Sequence, residues 1–140
     1  MEKKYDQLTK TLHDLFSNNE FDECLKLVSD NAVVTATAIG MTFHGRSEFS
    51  NFMMGFKRAF PDLVINHKNL VCEGNKVAVE FTAAGTHTGP LQTPAGEIPP
   101  TGKKVVLNVS EFIEWRDGQF TKLVNYQDSS SLLRQIGVLQ

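Results

Sequence analysis

Apolar residues along this chain recur first at helical spacing and then at every second position, and the period changes near residue 60. Tyr5, Leu8, Leu12, Leu15 and Phe16 form one helical stripe, and Phe21, Cys24, Leu25 and Val28 form another after the Asn18-Asn19 break, so the chain is expected to open with an antiparallel helix pair. Residues 32–39 are rich in β-branched residues and alanine and stop at Gly40, which predicts a first strand. Ser47 stands where it can cap a third helix, whose stripe of Phe49, Phe52, Met53, Phe56 and Phe60 ends at Pro61. From Leu63 the alternation predicts strands at 63–71, 77–88, 105–115 and 119–128, with turns at Glu73-Gly74-Asn75 and Asp117-Gly118. Ser129 to Gly137 reads as a short last helix closed by glycine. Helices followed by antiparallel strands spell an α+β architecture.

A chain of 140 residues is long enough for one well-buried core and too short for two, so residues 1–140 are read as one domain. The formal net charge of −2, with acids and bases interspersed, leaves no basic patch for nucleic acid or an anionic membrane. Cys24 and Cys72 are too few for a disulfide framework or a thiolate metal site and suit a reducing compartment. The opening Met1-Glu2-Lys3-Lys4-Tyr5-Asp6 lacks the apolar core of a signal peptide, and no run reaches the roughly 20 apolar residues of a membrane span, so a cytoplasmic protein is expected. Four of the five prolines crowd between Thr88 and Lys103, a connection long enough to be a lid or rim, or simply an inert surface loop.

The candidate chemistry sits at the polar ends of apolar strand faces. Counting back by twos from His87 gives Gly85, Ala83, Phe81, Val79 and Val77, so the imidazole is expected to point inward, as a functional group or as a satisfied core residue. Glu111 interrupts the face made by Val105, Leu107, Val109, Ile113 and Trp115; a solvated carboxylate on a bent sheet is the preferred reading, and a paired or functional one the alternative. On the last strand Phe120, Lys122, Val124, Tyr126 and Asp128 share a parity, which gives that face a phenol and a carboxylate at its end. Asp128 also precedes the final helix, where it is a favoured cap; capping and catalysis are compatible. His13 and His67 fit no pattern and receive no role.

Phe43-His44-Gly45-Arg46, Ala59-Phe60-Pro61-Asp62, Gly85-Thr86-His87-Thr88-Gly89, Pro100-Thr101-Gly102-Lys103 and Leu132-Leu133-Arg134-Gln135-Ile136-Gly137, in that order, resemble the SnoaL-like ester cyclase family along nearly the whole chain. The resemblance implies a cone-shaped α+β barrel of the nuclear-transport-factor-two type, with three N-terminal helices on a strongly curved, mostly antiparallel sheet and a short C-terminal helix. It further implies an apolar cavity, no metal and no organic cofactor, and a homodimer formed through the outer sheet surface. The implied activity is cofactor-independent acid/base chemistry, an intramolecular aldol closure or enolisation, on a bulky apolar carbonyl substrate.

On this reading Asp128 is the acid/base group and His87 its partner or a donor to a substrate carbonyl, while His44, Arg46, Phe56, Tyr126, Asn125 and Glu111 contact substrate. One departure matters. The family's Trp four residues before its acid is missing from Lys122-Leu123-Val124-Asn125-Tyr126-Gln127-Asp128, and if the acid position maps to Asn125, an amide stands where the base should be. A ketosteroid-isomerase-like isomerase and a non-catalytic small-molecule binding module are the alternatives that the same fold allows.

Overall fold

The structure, a computed structural model, describes residues 4–139. Met1–Lys3, the start of the segment read above as lacking a signal-peptide core, and Gln140 lie outside the described residues. The helices are α1 (Tyr5–Ser17), α2 (Phe21–Leu25), α3 (Gly45–Ala59) and α4 (Ser129–Gln135). The strands are β1 (Val28–Ala36), β2 (Met41–His44), β3 (Val64–Glu73), β4 (Lys76–Thr86), β5 (Leu91–Thr93), β6 (Gly96–Ile98), β7 (Lys104–Arg116) and β8 (Gln119–Gln127). Six strands form one curved, open sheet in the order β2-β1-β8-β7-β4-β3, and β5 and β6 make a separate hairpin. Every pairing is antiparallel except β1 with β8.

The helices cover one face of this sheet, α1 against β3 and β4 and α3 against β1 and β2, and α4 lies on β7. Leu12 and Phe16 of α1, Phe49 and Met53 of α3, and the inward residues of β4 and β7 merge in a single core. Trp115 is fully buried there: it stacks on Tyr5, and its indole N–H donates to the Thr9 hydroxyl at 3.1 Å, which fixes the start of α1 on the sheet.

Several predicted boundaries move. The second helix is only five residues long, and Val28 begins β1 instead of closing that helix. β1 ends at Ala36; Thr37–Ile39 is a single 3-10 turn, Gly40 takes a left-handed φ of 65°, and the chain reverses into the unpredicted β2. The proline-rich connection contains the unpredicted β5–β6 hairpin, which packs on α3.

One correction bears on the site. In the β7–β8 ladder Trp115 pairs with Phe120 but Glu114 pairs with Lys122, so Thr121 is an extra residue and forms a bulge. A single inserted residue exchanges the faces of everything after it. Leu123, Asn125 and Gln127 therefore turn inward, and Lys122, Val124 and Tyr126, expected to share the face of Phe120, turn out. Tyr126 is 46% exposed and makes an edge-to-face contact with Phe112 on the outer surface.

Candidate functional site

Between the helices and the inner face of the sheet lies a cavity of about 80 Å³, counted as room for the centres of water molecules. Its wall is mostly hydrocarbon: Leu12 and Phe16 from α1, Phe52 and Phe56 from α3, Phe81 from β4 and Leu107 from β7 are typical. The side chains of Glu111, His13, Asn125, Gln127 and Cys24 bring polar atoms to it. A wall of this kind, with a few placed polar groups, suits a small-molecule site.

Glu111 is the centre of the polar group. It stands at mid-β7 on the buried face, 6% exposed, directly opposite Asn125 on β8. A carboxylate taken out of water is costly unless donors replace the lost hydration. Two do: the Asn125 amide donates to Oε2 at 2.8 Å, and Nε2 of His13 lies 2.7 Å from Oε1. His13, 5% exposed on α1, continues the chain with Nδ1 at 2.8 Å from Nε2 of His67 on β3. Burial holds His67 below the ordinary imidazole range; His13 and Lys10 act in the same direction, and Asp14 and Glu111 oppose them. With one amide edge engaged by Glu111, the Asn125 carbonyl oxygen is left buried and without a partner. Such an acceptor fits a ligand hydroxyl or amide.

Cys24 also reaches the cavity, but burial, with a contribution from Glu111, pushes its thiol up to about 12, so it is a packing group beside Met53 and no nucleophile. Glu111, His13 and His67 are strung in a line, and among the described residues no group of three or more His, Cys, Asp or Glu is arranged to hold a metal ion.

Of the residues singled out from the sequence, Glu111, Asn125 and Phe56 meet at this cavity; the others do not. The preference for a solvated Glu111 is corrected, because the β4 and β8 neighbours keep its face inward along the whole of β7. Asp128, expected to point inward with Tyr126, is exposed: its carboxylate accepts from the Ser131 N–H at 3.1 Å and the Ser130 hydroxyl at 3.0 Å, capping α4 and lying below the usual carboxylate range for that reason. His44 is an exposed helix-start residue whose N–H donates to the Glu48 carboxylate at 2.9 Å. Arg46 donates to the Val28 carbonyl at 2.8 Å and pairs with Asp30, which ties α3 to the start of β1.

His87 is fully buried, as its parity predicts, but does not line the cavity. Its Nδ1 accepts from the Thr101 N–H at 3.2 Å and lies 2.9 Å from the Thr101 hydroxyl, its ring lies on Phe60, and burial depresses its basicity. The surrounding Gly-Thr-His-Thr-Gly run clasps the end of α3. Thr86 donates from its N–H and its hydroxyl to the Asp62 carboxylate at 2.7 and 2.8 Å, and the N–H groups of Thr88 and Gly89 donate to the Ala59 carbonyl. Nor does the proline-rich connection between Thr88 and Lys103 supply any lining residue.

His13 and His67 are the site residues that sequence reasoning missed. His13 flanks the α1 stripe between Leu12 and Phe16, so it looks like a boundary position. On β3 an extra residue, Lys68, lets both His67 and Leu70 face inward, and no reading by twos puts them together.

A family model described as SnoaL-like polyketide cyclase matches residues 6–136 of the chain. No curated protein matches it. Among solved structures it is similar to AclR, a candidate hydroxylase from Streptomyces galilaeus, with 22% identity, 96% of this chain and 85% of that one covered, and a TM-score of 0.83. It is also similar to wild-type IdmH, a candidate polyketide cyclase from Streptomyces antibioticus, with 21% identity, coverage of 97% and 100%, and a TM-score of 0.82. A protein of ketosteroid isomerase-like fold from Catenulispora acidiphila, solved with trimethylamine, gives 17% identity, coverage of 95% and 93%, and a TM-score of 0.78. At these identities the likeness to solved structures establishes a shared fold and nothing about chemistry.

Proposed function

We propose, since the chain belongs to the SnoaL-like polyketide cyclase family, that it is a cofactor-independent enzyme of cyclase type acting on an apolar carbonyl compound, with Glu111 as the acid/base group. The observation that carries this reading is a buried carboxylate at an apolar cavity, held by an amide on one oxygen and an imidazole on the other. Glu111 takes the proton from a carbon flanked by a carbonyl; the enolate carbon attacks a second carbonyl of the same molecule, a carbon–carbon bond forms, and the new alkoxide recovers a proton from the Glu111 carboxyl. A positioned proton-transfer group contributes roughly 10²- to 10⁴-fold to such a step. Holding both reacting carbons in one cavity adds several kcal/mol, up to about 7–11 in the best-aligned cases. The free Asn125 carbonyl oxygen favours a substrate with a hydroxyl near the reacting carbons.

The isomerase alternative loses its oxyanion donor with Tyr126 on the outer surface. A purely binding module has no need of a carboxylate at its cavity. Two free cysteines, one buried and one exposed, support the cytoplasmic assignment, and the exposed apolar outer face supports a homodimer. Among the described residues no helix is long and apolar enough to cross a membrane.

The test is deuterium exchange at the α-carbon of a methyl arylacetate in D2O, followed by proton NMR. Glu111→Gln is expected to lower the enzymatic rate by about 10²-fold or more, while Asp128→Asn, which preserves a capping side chain, leaves it unchanged. The opposite ranking returns the acid/base role to Asp128.

A further inference from the structure

We infer that His13 and His67 form a two-imidazole proton relay between Glu111 and solvent at the β3 edge of the sheet. This rests on the reading of Glu111 as the acid/base group: ring closure returns the abstracted proton to the product, whereas enolisation without closure leaves it on Glu111, from where it has to reach water. The imidazoles supply a polar route to the surface beside a wall that is mostly hydrocarbon.

The chain is continuous at hydrogen-bond distance: Glu111 Oε1 to His13 Nε2 is 2.7 Å, and His13 Nδ1 to His67 Nε2 is 2.8 Å. It also runs down a gradient of burial. Glu111 and His13 are buried and His67 is half-buried. The only buried side-chain nitrogen or oxygen atoms without a partner among the described residues are His87 Nε2 and Asn125 Oδ1. Among the described residues Nδ1 of His67 has no hydrogen-bond partner, and it is not one of these two buried atoms, so it is open to water.

Each imidazole has one nitrogen facing each neighbour, which is the condition for hopping. When Glu111 is protonated, its proton passes to Nε2 of His13, Nδ1 of His13 gives its proton to Nε2 of His67, and Nδ1 of His67 releases one to water. The reverse sequence reloads Glu111. After the outward passage both rings are neutral and the one charge left inside is the Glu111 carboxylate, which His13 and Asn125 hold by hydrogen bonds. A merely structural role for His13 needs only its bond to Glu111; a second histidine, facing inward opposite Phe81 and held below its ordinary basicity, is superfluous to it.

The groups that face the relay are few. From α1 they are Lys10 and Asp14, from β7 Glu111, from α2 the protonated Cys24 thiol, from β8 the neutral Asn125, and from β4 the Phe81 ring, 4.6 Å from His13 and 6.2 Å from His67. An uncharged partner on β4 leaves both tautomers of each ring accessible.

Two measurements on the full chain test this. In ¹⁵N NMR of the histidine rings at fixed pH, Glu111→Gln is expected to displace the ring signals of both His13 and His67. A His67 ring indifferent to Glu111→Gln overturns the relay. In the methyl arylacetate exchange assay, His67→Gln keeps a donor to His13 but cannot pass a proton; it is expected to lose about 100-fold and to recover on addition of free imidazole. An unchanged rate, or a loss that imidazole does not restore, overturns the relay. If the unaltered protein exchanges no deuterium, the acid/base reading of Glu111 falls, and the ring signals still judge the hydrogen-bonded chain on its own.

Discussion

Gly89 illustrates how much of the most recognisable motif in this chain is mechanical. A β-carbon added there would lie 1.8 Å from the Arg58 carbonyl oxygen, so only glycine lets the strand end approach the last turn of α3. Gly89→Ala is expected to cost about 3 kcal/mol, read by urea denaturation as a lower midpoint at unchanged slope. His87 shares this setting, clamped by Thr101 and tilted against the Phe60 ring, and its burial was legible because β4 alternates without interruption from Val77. Its purpose was not, since alternation fixes a side and says nothing of what lies on that side. Glu111 is the converse: its face was ambiguous in the sequence, and only the neighbouring strands, which keep that face covered along β7, decide it.

At the scale of elements, the sequence was legible wherever one period ran unbroken. α1, α3, β4 and β7 fall within a few residues of their expected positions, because each carries a long stripe or a strict alternation. Short elements and irregularities were hidden. β2 has four residues and β5 and β6 have three each, too few for a period to declare itself. The two single-residue bulges, at Lys68 and Thr121, had larger consequences than any missed element. One carried Tyr126 and Asp128 away from the cavity and brought Asn125 in; the other turned Leu70 inward after His67. Turn residues advertise a turn by composition, but a bulge in mid-strand needs no special residue, and Thr121 and Lys68 are ordinary strand occupants.

For the whole molecule, protonation and assembly are the properties that the arrangement predicts. Burial places His67 and His87 below the imidazole value of 6.5 that the unfolded chain shows, so the unfolded state binds more protons in the interval between. Stability is therefore complete above that value and declines as pH falls through the folded values. Thermal unfolding followed by circular dichroism is expected to give a lower midpoint at pH 5.5 than at pH 7.5, and His87→Gln is expected to flatten that dependence. On the outer face, Val71, Val106, Phe112 and Tyr126 are exposed. On the homodimer proposed above, Phe112→Asp is expected to give a monomer by light scattering at concentrations where the unaltered protein gives twice that mass.

Glu111 and Asn125 face one another across adjacent strands, acid on one and amide on the other. Exchanging such a pair preserves the hydrogen bond and the shape of the wall while moving the negative charge by the width of one strand spacing, about 5 Å. Two substitutions would thus relocate the proposed acid/base group without a new backbone. The pocket is a stage on which the actor can change its mark, and a family sharing one scaffold can evolve different bond-forming outcomes from the same pair of positions.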